Sequence, residues 1–359
     1  MVKEFTAGKI FNPVQGRLKK PFLRYSHIKL NVPARINNMV FDTKTLTTNI
    51  DKKRYYAGEF VFSVNANTYA NLKIGPNKKH KILISKKCKR PSLVIHAARM
   101  MQKILRVSDS WWIESNNQFH YPHAGLGSSS SIISAVCIAI NEAYNKPLNE
   151  RQLVLLISQN HGEEIKNEKM RLIHVQCNGA SPSVALYKGG MQVVCGEADL
   201  ILREDIPKDH VFIFGIPKSY KKYDAKSLMS MEEKITFSEM KRRSKDYSNQ
   251  IAWKVLHQLL PAIIHKDMKS IGDVLEYYRF ETGSLESDVH IWPELKKIMQ
   301  KLRKKRDKDT EIVSTSSCGP LVYALTVNEK KIMRLFKNLN MKTFKVTPNN
   351  CGYTVLKFE

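Results

Sequence analysis

Pro122-His123-Ala124-Gly125-Leu126-Gly127-Ser128-Ser129-Ser130-Ser131 is the stretch on which the reading of this chain turns. Its glycines let the backbone bend tightly and come close to a ligand. The residues that follow are almost all apolar and predict a buried helix over 129–144, stopped by Asn145-Lys146-Pro147. A helix start leaves backbone N–H groups unpaired and carries the positive end of the dipole, so a Gly/Ser turn leading into it can hold an anion. Consecutive serines add hydroxyls for phosphate oxygens or for a magnesium ion. Gly125, Leu126, Gly127, Ser128, Ser129, Ser130 and Ser131 therefore read as a phosphate cradle, against the plainer reading of a helix cap.

Outward from this turn the pattern alternates between strand and helix. Residues 26–31 and 59–74 read as strands, 93–105 as a helix and 111–119 as a strand that runs into the Gly/Ser turn. Asn149, with Gln152 three residues on, predicts a capped helix start. Further on come a strand over 210–216, helices over 232–266, 268–279 and 293–304, strands over 311–315, 320–327 and 343–347 around a helix over 328–339, and a last strand over 352–358. Strands and helices mixed in each half predict an α+β architecture in two lobes, 1–204 and 205–359, with Pro207 near the joint.

The chain has 359 residues, 42% hydrophobic and 26% charged, which excludes a disordered, collagen-like or coiled-coil protein. The longest apolar run is too short to span a bilayer, and residues 1–11 lack the apolar core of a signal peptide, so a cytoplasmic protein is expected. Six scattered cysteines form no C-x-x-C pair and read as reduced thiols, and His120 and His123 lack a third ligand for a metal site. The net charge of +26 attracts polyanions, yet no nucleic-acid-binding motif accompanies the basic runs 86–90, 241–243 and 301–308. Small phosphorylated molecules are the better expectation, and nucleic acid is not expected as a partner.

The Gly125–Ser131 run resembles the phosphate-binding motif of the galactokinase/homoserine kinase/mevalonate kinase (GHMP) superfamily. Pro33-Ala34-Arg35-Ile36 resembles the first motif of that superfamily, and Ser316-Ser317-Cys318-Gly319-Pro320 its third. The resemblance implies a GHMP-kinase-like two-lobed fold, with a ribosomal-protein-S5-like N-terminal lobe and a ferredoxin-like C-terminal lobe. It also implies Mg²⁺, held by Ser129 with Glu163 or Glu164, and phosphate contacts from Ser316, Ser317 and Gly319. A homodimer is an expectation of the same kind. The aspartate that serves many of these kinases as base, ahead of their Gly-Gly turn, has no counterpart between Asn178 and Gly190.

Several segments are similar instead to β-ribofuranosylaminobenzene 5'-phosphate synthase, a phosphoribosyltransferase of the same fold. These are Arg35-Ile36 with Asp42, Arg54 and Gly58; Leu259-Leu260-Pro261-Ala262; Glu281-Thr282-Gly283; and Ser316 to Tyr323. This resemblance implies a PRPP-dependent glycosyltransferase that joins ribose 5-phosphate to an aromatic carboxylate, releasing pyrophosphate and CO2 and leaving a C-glycoside. Asp42 would then stabilise the ribosyl cation or orient the acceptor and Arg54 grip an anionic group, while Arg35 is a further catalytic candidate that could equally brace the lobe interface. Trp111, Trp112, Tyr55, Tyr56 and Phe119 are candidates to stack the acceptor ring. The alternatives are an ATP-dependent small-molecule kinase and a non-catalytic anion- or nucleic-acid-binding relative.

Overall fold

The computed structural model describes residues 3–48, 57–75, 81–119, 121–174 and 179–359. In chain order the strands of the first half are β1 (Glu4–Thr6), β2 (His27–Val40), β3 (Glu59–Gly75), β4 (Ile82–Ile84), β5 (Ser110–Asn117), β6 (Gly162–Glu164), β7 (Arg171–His174), β8 (Met191–Cys195) and β9 (Asp199–Glu204). The second half adds β10 (Val211–Pro217), β11 (Thr310–Thr315), β12 (Val322–Thr326), β13 (Met341–Val346) and β14 (Thr354–Phe358).

A seven-stranded sheet runs β14-β2-β3-β5-β4, with β8 pairing β3 and β9 pairing β8. The length of β3 explains the branch: Glu59–Phe62 pair with β8, and Thr68–Gly75 pair with β5. The burial along β3 changes at the same place. From Ala66 to Ile74 buried residues alternate with more exposed ones, as on a sheet covered on one side. From Glu59 to Val64 every residue is buried, because the other lobe covers the second face. Phe62 there meets Phe212 of β10 at 5.6 Å and Tyr323 of β12 at 6.3 Å between ring centroids.

Helices Pro91–Leu105, Ser128–Ala143 and Glu150–Gln159 fill the remaining face of this sheet, and the middle one is buried along nearly its whole length. Its hydrophobic run therefore reflects its position inside the lobe. The expected capping box is present: Gln152 donates its backbone N–H to Asn149 Oδ1 at 2.9 Å, and Asn149 N–H donates to Gln152 Oε1 at 3.1 Å.

The second lobe is a four-stranded antiparallel sheet in the order β11-β12-β10-β13. Along β10, Phe212, Phe214 and Ile216 face a core shared with Ile251, Leu259, Ile271 and Leu275, and Ile213 faces Leu295, Met299 and Phe336. Where the sequence predicts one helix over 232–266, the structure has helical turns of wider pitch at Glu232–Thr236 and Val255–Leu259, and a third such turn at Tyr277–Glu281. Each is a single turn within a longer helical run. The last strand, β14, leaves this lobe and pairs with β2, Phe358 opposite Ile28.

Arg279, on the third wide turn, is 3% exposed and joins the two sheets. It donates to Asn38 O of β2 at 3.0 Å, to Thr315 O of β11 at 2.8 Å and to Asp288 Oδ2 at 3.4 Å. Removing the cation leaves two carbonyls and a carboxylate buried without it. Arg279→Met is expected to lower stability by about 3–5 kcal/mol, measured by urea unfolding followed by circular dichroism.

Candidate active site

The turn 122–127 is not held by its own lobe alone. Leu321 N–H donates to Ala124 O at 3.1 Å, Ser316 Oγ to Gly125 O at 2.6 Å, and Arg35 Nη1 to the same carbonyl at 2.6 Å. Ser317 N–H in turn donates to Asn37 O of β2 at 2.9 Å. The two glycine turns thus lie backbone against backbone. A Cβ on Gly125, whose φ is +107°, would stand 2.4 Å from Ser316 O, and one on Gly319 would stand 2.3 Å from the Ala124 carbonyl carbon. No side chain larger than hydrogen fits either place without moving a main chain.

Above this seam lies a cleft lined by Arg35, Gly125, Gly127, Ser128, Ser317 and Gly319, with His123, His161, Glu163 and Glu232 on its walls. The start of helix Ser128–Ala143 faces it with its unpaired N–H groups. The four serines are not equivalent. Ser128 lines the cleft and Ser129 Oγ donates to Glu163 Oε2. Ser130 and Ser131 are turned inward, and among the described residues their hydroxyls have no hydrogen-bond partner. Leu126 is buried in the core between the lobes, and Ser316 braces the turn from beneath.

Glu163 and Glu164 lie on β6, beyond the end of helix Glu150–Gln159. Adjacent residues of a strand point to opposite faces. Glu163 faces the cleft, where Arg90 Nη2 meets it at 2.8 Å and His161 Nε2 lies 3.6 Å from Oε1. Glu164 faces away and accepts the Ser92 N–H at 2.9 Å, at the start of helix Pro91–Leu105. Burial alone would raise the Glu163 carboxyl, yet Arg90, with His123 and His161, holds it well below the usual carboxylate value. Burial also pushes the His123 imidazole below its ordinary value. An ionised carboxylate beside a serine hydroxyl is an oxygen donor set that suits Mg²⁺, which takes few protein ligands and completes its shell with water and phosphate. Among the described residues no group of three or more His, Cys, Asp and Glu side chains forms a metal cluster.

A second chamber opens beside the first and shares Arg35, Ser317 and Cys318 with it. Asn37, Asn38, Glu59, Arg243, Arg279 and Asp288 line it together with Met39, Val40, Met240 and Tyr278, so its walls carry charges of both signs beside an apolar portion. Arg243 is 2% exposed and donates to Ser287 Oγ at 2.6 Å. Burial pushes the Asp288 carboxyl up to about 6, against the pull of Arg279 and Arg243. Sequence reading passed over these residues. Arg243 stood inside the basic run 241–243, although Met240, Arg243, Tyr247 and Ile251 share one helical face, which places this arginine alone of the three toward the core.

Asp42 lines neither chamber; it caps its own short helix by accepting Thr45 N–H at 3.1 Å. Arg54, Tyr55, Tyr56, His120, Cys177 and Asn178 lie outside the described residues. Trp111 is buried in the core, Trp112 lies under Lys73, and Phe119 packs on Phe344.

A family model for the N-terminal domain of GHMP kinases matches residues 92–169, the segment that carries the Gly/Ser turn and Glu163. Homoserine kinase of Buchnera aphidicola is 37% identical over 78 residues, 22% of either chain, so the matched segment spans about a fifth of that relative. The crystal structure of homoserine kinase from Cytophaga hutchinsonii superposes with a TM-score of 0.63 at 16% identity, covering 93% of this chain and 98% of that one. Mevalonate diphosphate decarboxylase from Enterococcus faecalis, in a study of its ATP binding, gives 0.59 at 16% identity, covering 92% and 99%. The fold is therefore the two-lobed α+β GHMP-kinase-like fold.

These matches correct the phosphoribosyltransferase expectation. They are to kinases and to an ATP-binding decarboxylase, so PRPP, an aromatic acid acceptor and C-glycoside formation with loss of CO2 are set aside, and the glycosyltransferase assignment with them. The segments behind that expectation have structural work: Asp42 is a cap, Leu259 and Ala262 are core, and Gly283 begins a short helix.

Because the folded Glu163 carboxyl sits below its usual 4.5, it contributes stability that is present above about that pH and is lost as the pH falls toward the folded value. Arg90→Met removes this contribution. The gap in melting temperature between wild type and variant is expected to be widest near neutral pH and to narrow in acid, read by scanning calorimetry. Gly319→Ala is expected to lower the melting temperature in the same calorimetry, since a Cβ there displaces the main chain of Ala124 and Gly125.

Proposed function

We propose that this chain is an ATP-dependent kinase that transfers the γ-phosphoryl group of ATP to a hydroxyl of a small polar acceptor. The observation that carries the reading is the continuity of the two chambers at Arg35, Ser317 and Cys318. One chamber offers an anion-binding helix start with Ser129 and Glu163, and the adjoining one offers polar, charged walls of small reach.

In this reading the nucleotide phosphates lie along Gly125–Ser128 and receive the N–H groups of the helix start. Ser129 and Glu163 would hold Mg²⁺, which when bound neutralises phosphate charge. The acceptor lies in the second chamber, with Arg243, whose Nε has no hydrogen-bond partner among the described residues, available to its anionic groups. Catalysis rests on holding donor and acceptor in line and on the fixed charges around the transferred group. Arg35, shared by both chambers and fixed to Gly125 O, keeps the two halves in register. The likeness to homoserine kinases and to a mevalonate diphosphate decarboxylase supports the reading and suggests small hydroxylated acids as acceptors.

The test is release of ADP from MgATP by the purified chain with L-homoserine, mevalonate and mevalonate diphosphate. Turnover dependent on one acceptor is expected, and ADP release with none of them would overturn the reading. Glu163→Gln is expected to lower kcat/KM about 100-fold or more, in line with the loss of one preorganised charged contact.

A further inference from the structure

Phosphoryl transfer to a hydroxyl releases a proton, and the chain needs a group to receive it. Four carboxylates line the two chambers: Glu59, Glu163, Glu232 and Asp288. Glu163 is held by Arg90 and Ser129. Asp288 is held by Arg279 and by the Thr315 hydroxyl at 3.2 Å. Glu59 is buried and engaged in an interaction of its own. Glu232 differs from all three. It is half-buried, lines the phosphate-turn cleft, and among the described residues its carboxyl has no hydrogen-bond or ion-pair partner.

Its position also separates it from the rest. Glu232 opens the first wide helical turn, Glu232–Thr236, on the C-terminal lobe, and faces the Gly/Ser turn of the other lobe across the cleft. It lines the phosphate-turn cleft beside Arg35, Ser317 and Cys318, the residues through which that cleft continues into the second chamber. Wider turns of this kind inside helices are concentrated at functional sites. We propose that Glu232 is the general base of the transfer, accepting the proton of the acceptor hydroxyl as that oxygen attacks.

This assignment rests on the kinase reading above. The acceptor oxygen forms a bond to the γ-phosphorus while the bond from that phosphorus to the β,γ-bridging oxygen breaks, its electron pair leaving with ADP. The hydroxyl proton passes to a Glu232 carboxylate oxygen and then to water when the products depart. Burial, followed by the like charges of Asp288 and Glu163, pushes the Glu232 carboxyl up to about 7, where a carboxylate is basic enough to take a proton at neutral pH. Arg35, His123, His161, Glu163 and Cys318 are the other ionisable groups on the walls of its cleft.

The experiment compares wild type, Glu232→Gln and Glu232→Asp in two measurements: the dissociation constant for MgATP by calorimetry, and ADP release with L-homoserine, mevalonate and mevalonate diphosphate. The expected result is unchanged MgATP binding in both variants, kcat reduced about 100-fold or more in Glu232→Gln, and an intermediate kcat in Glu232→Asp. A Gln variant that turns over at the wild-type rate removes Glu232 from the reaction and leaves the kinase reading standing. Loss of MgATP binding in the Gln variant would make Glu232 part of the nucleotide site and also overturn the assignment. A wild-type chain that releases no ADP with any acceptor takes down both.

Discussion

Two glycine-containing turns from different lobes press main chain to main chain, and everything else in the site is arranged around that contact. The carbonyl of Gly125 is fixed by Ser316 of one lobe and Arg35 of the other, so the mouth of the phosphate turn cannot be shaped by the N-terminal lobe alone. The chambers on either side are defined by the same residues: Arg35, Ser317 and Cys318 belong to both. In the kinase reading, a seam with a cleft on each side would keep nucleotide and acceptor at a fixed distance. For a reaction whose catalysis is mostly alignment, that is the central mechanical requirement.

Among the described residues no lysine lines the two chambers, and the basic side chains of fixed charge there are arginines. Arg35, Arg90, Arg243 and Arg279 are each at least nine-tenths buried, and each donates at least one hydrogen bond. A guanidinium suits such places because its several N–H groups can be satisfied in fixed directions without losing the charge. The large net charge therefore describes the solvated surface, and the chemistry depends on a few arginines that composition does not distinguish.

Much of the architecture was legible in the residues. The Gly/Ser turn, the buried helix after it, the Asn149 cap and the strands over 59–74, 210–216, 311–315 and 343–347 follow local rules of spacing and turn chemistry and appear where those rules put them, whereas the short strands β1, β4, β6, β7 and β9 carry no such signal. The site was legible only in part. Glu163 was visible as one of a pair, but choosing it over Glu164 needs the strand that turns them to opposite faces. Ser130 and Ser131 look identical to Ser128 and Ser129 until the helix rotates them into the core. The second chamber is assembled from residues more than 200 positions apart, Asn38 with Arg279, and no local pattern announces that meeting. The branch of the superfamily was misread for a related reason: Asp42 and the 259–262 segment matched a motif by order, while their side chains serve a cap and a core.

The position of β14 has a consequence for how the molecule is made. Strand β2 carries Arg35 and takes β3 as one neighbour early, but its other neighbour is more than 320 residues further along the chain. During synthesis one side of β2 stays an open ladder of unpaired amides until residue 358 has left the ribosome, at several residues per second. For that interval the nascent chain presents an edge able to recruit foreign strands. Val355 and Phe358 close it opposite Leu30 and Ile28, so completion of the first lobe reports that the second has already been translated.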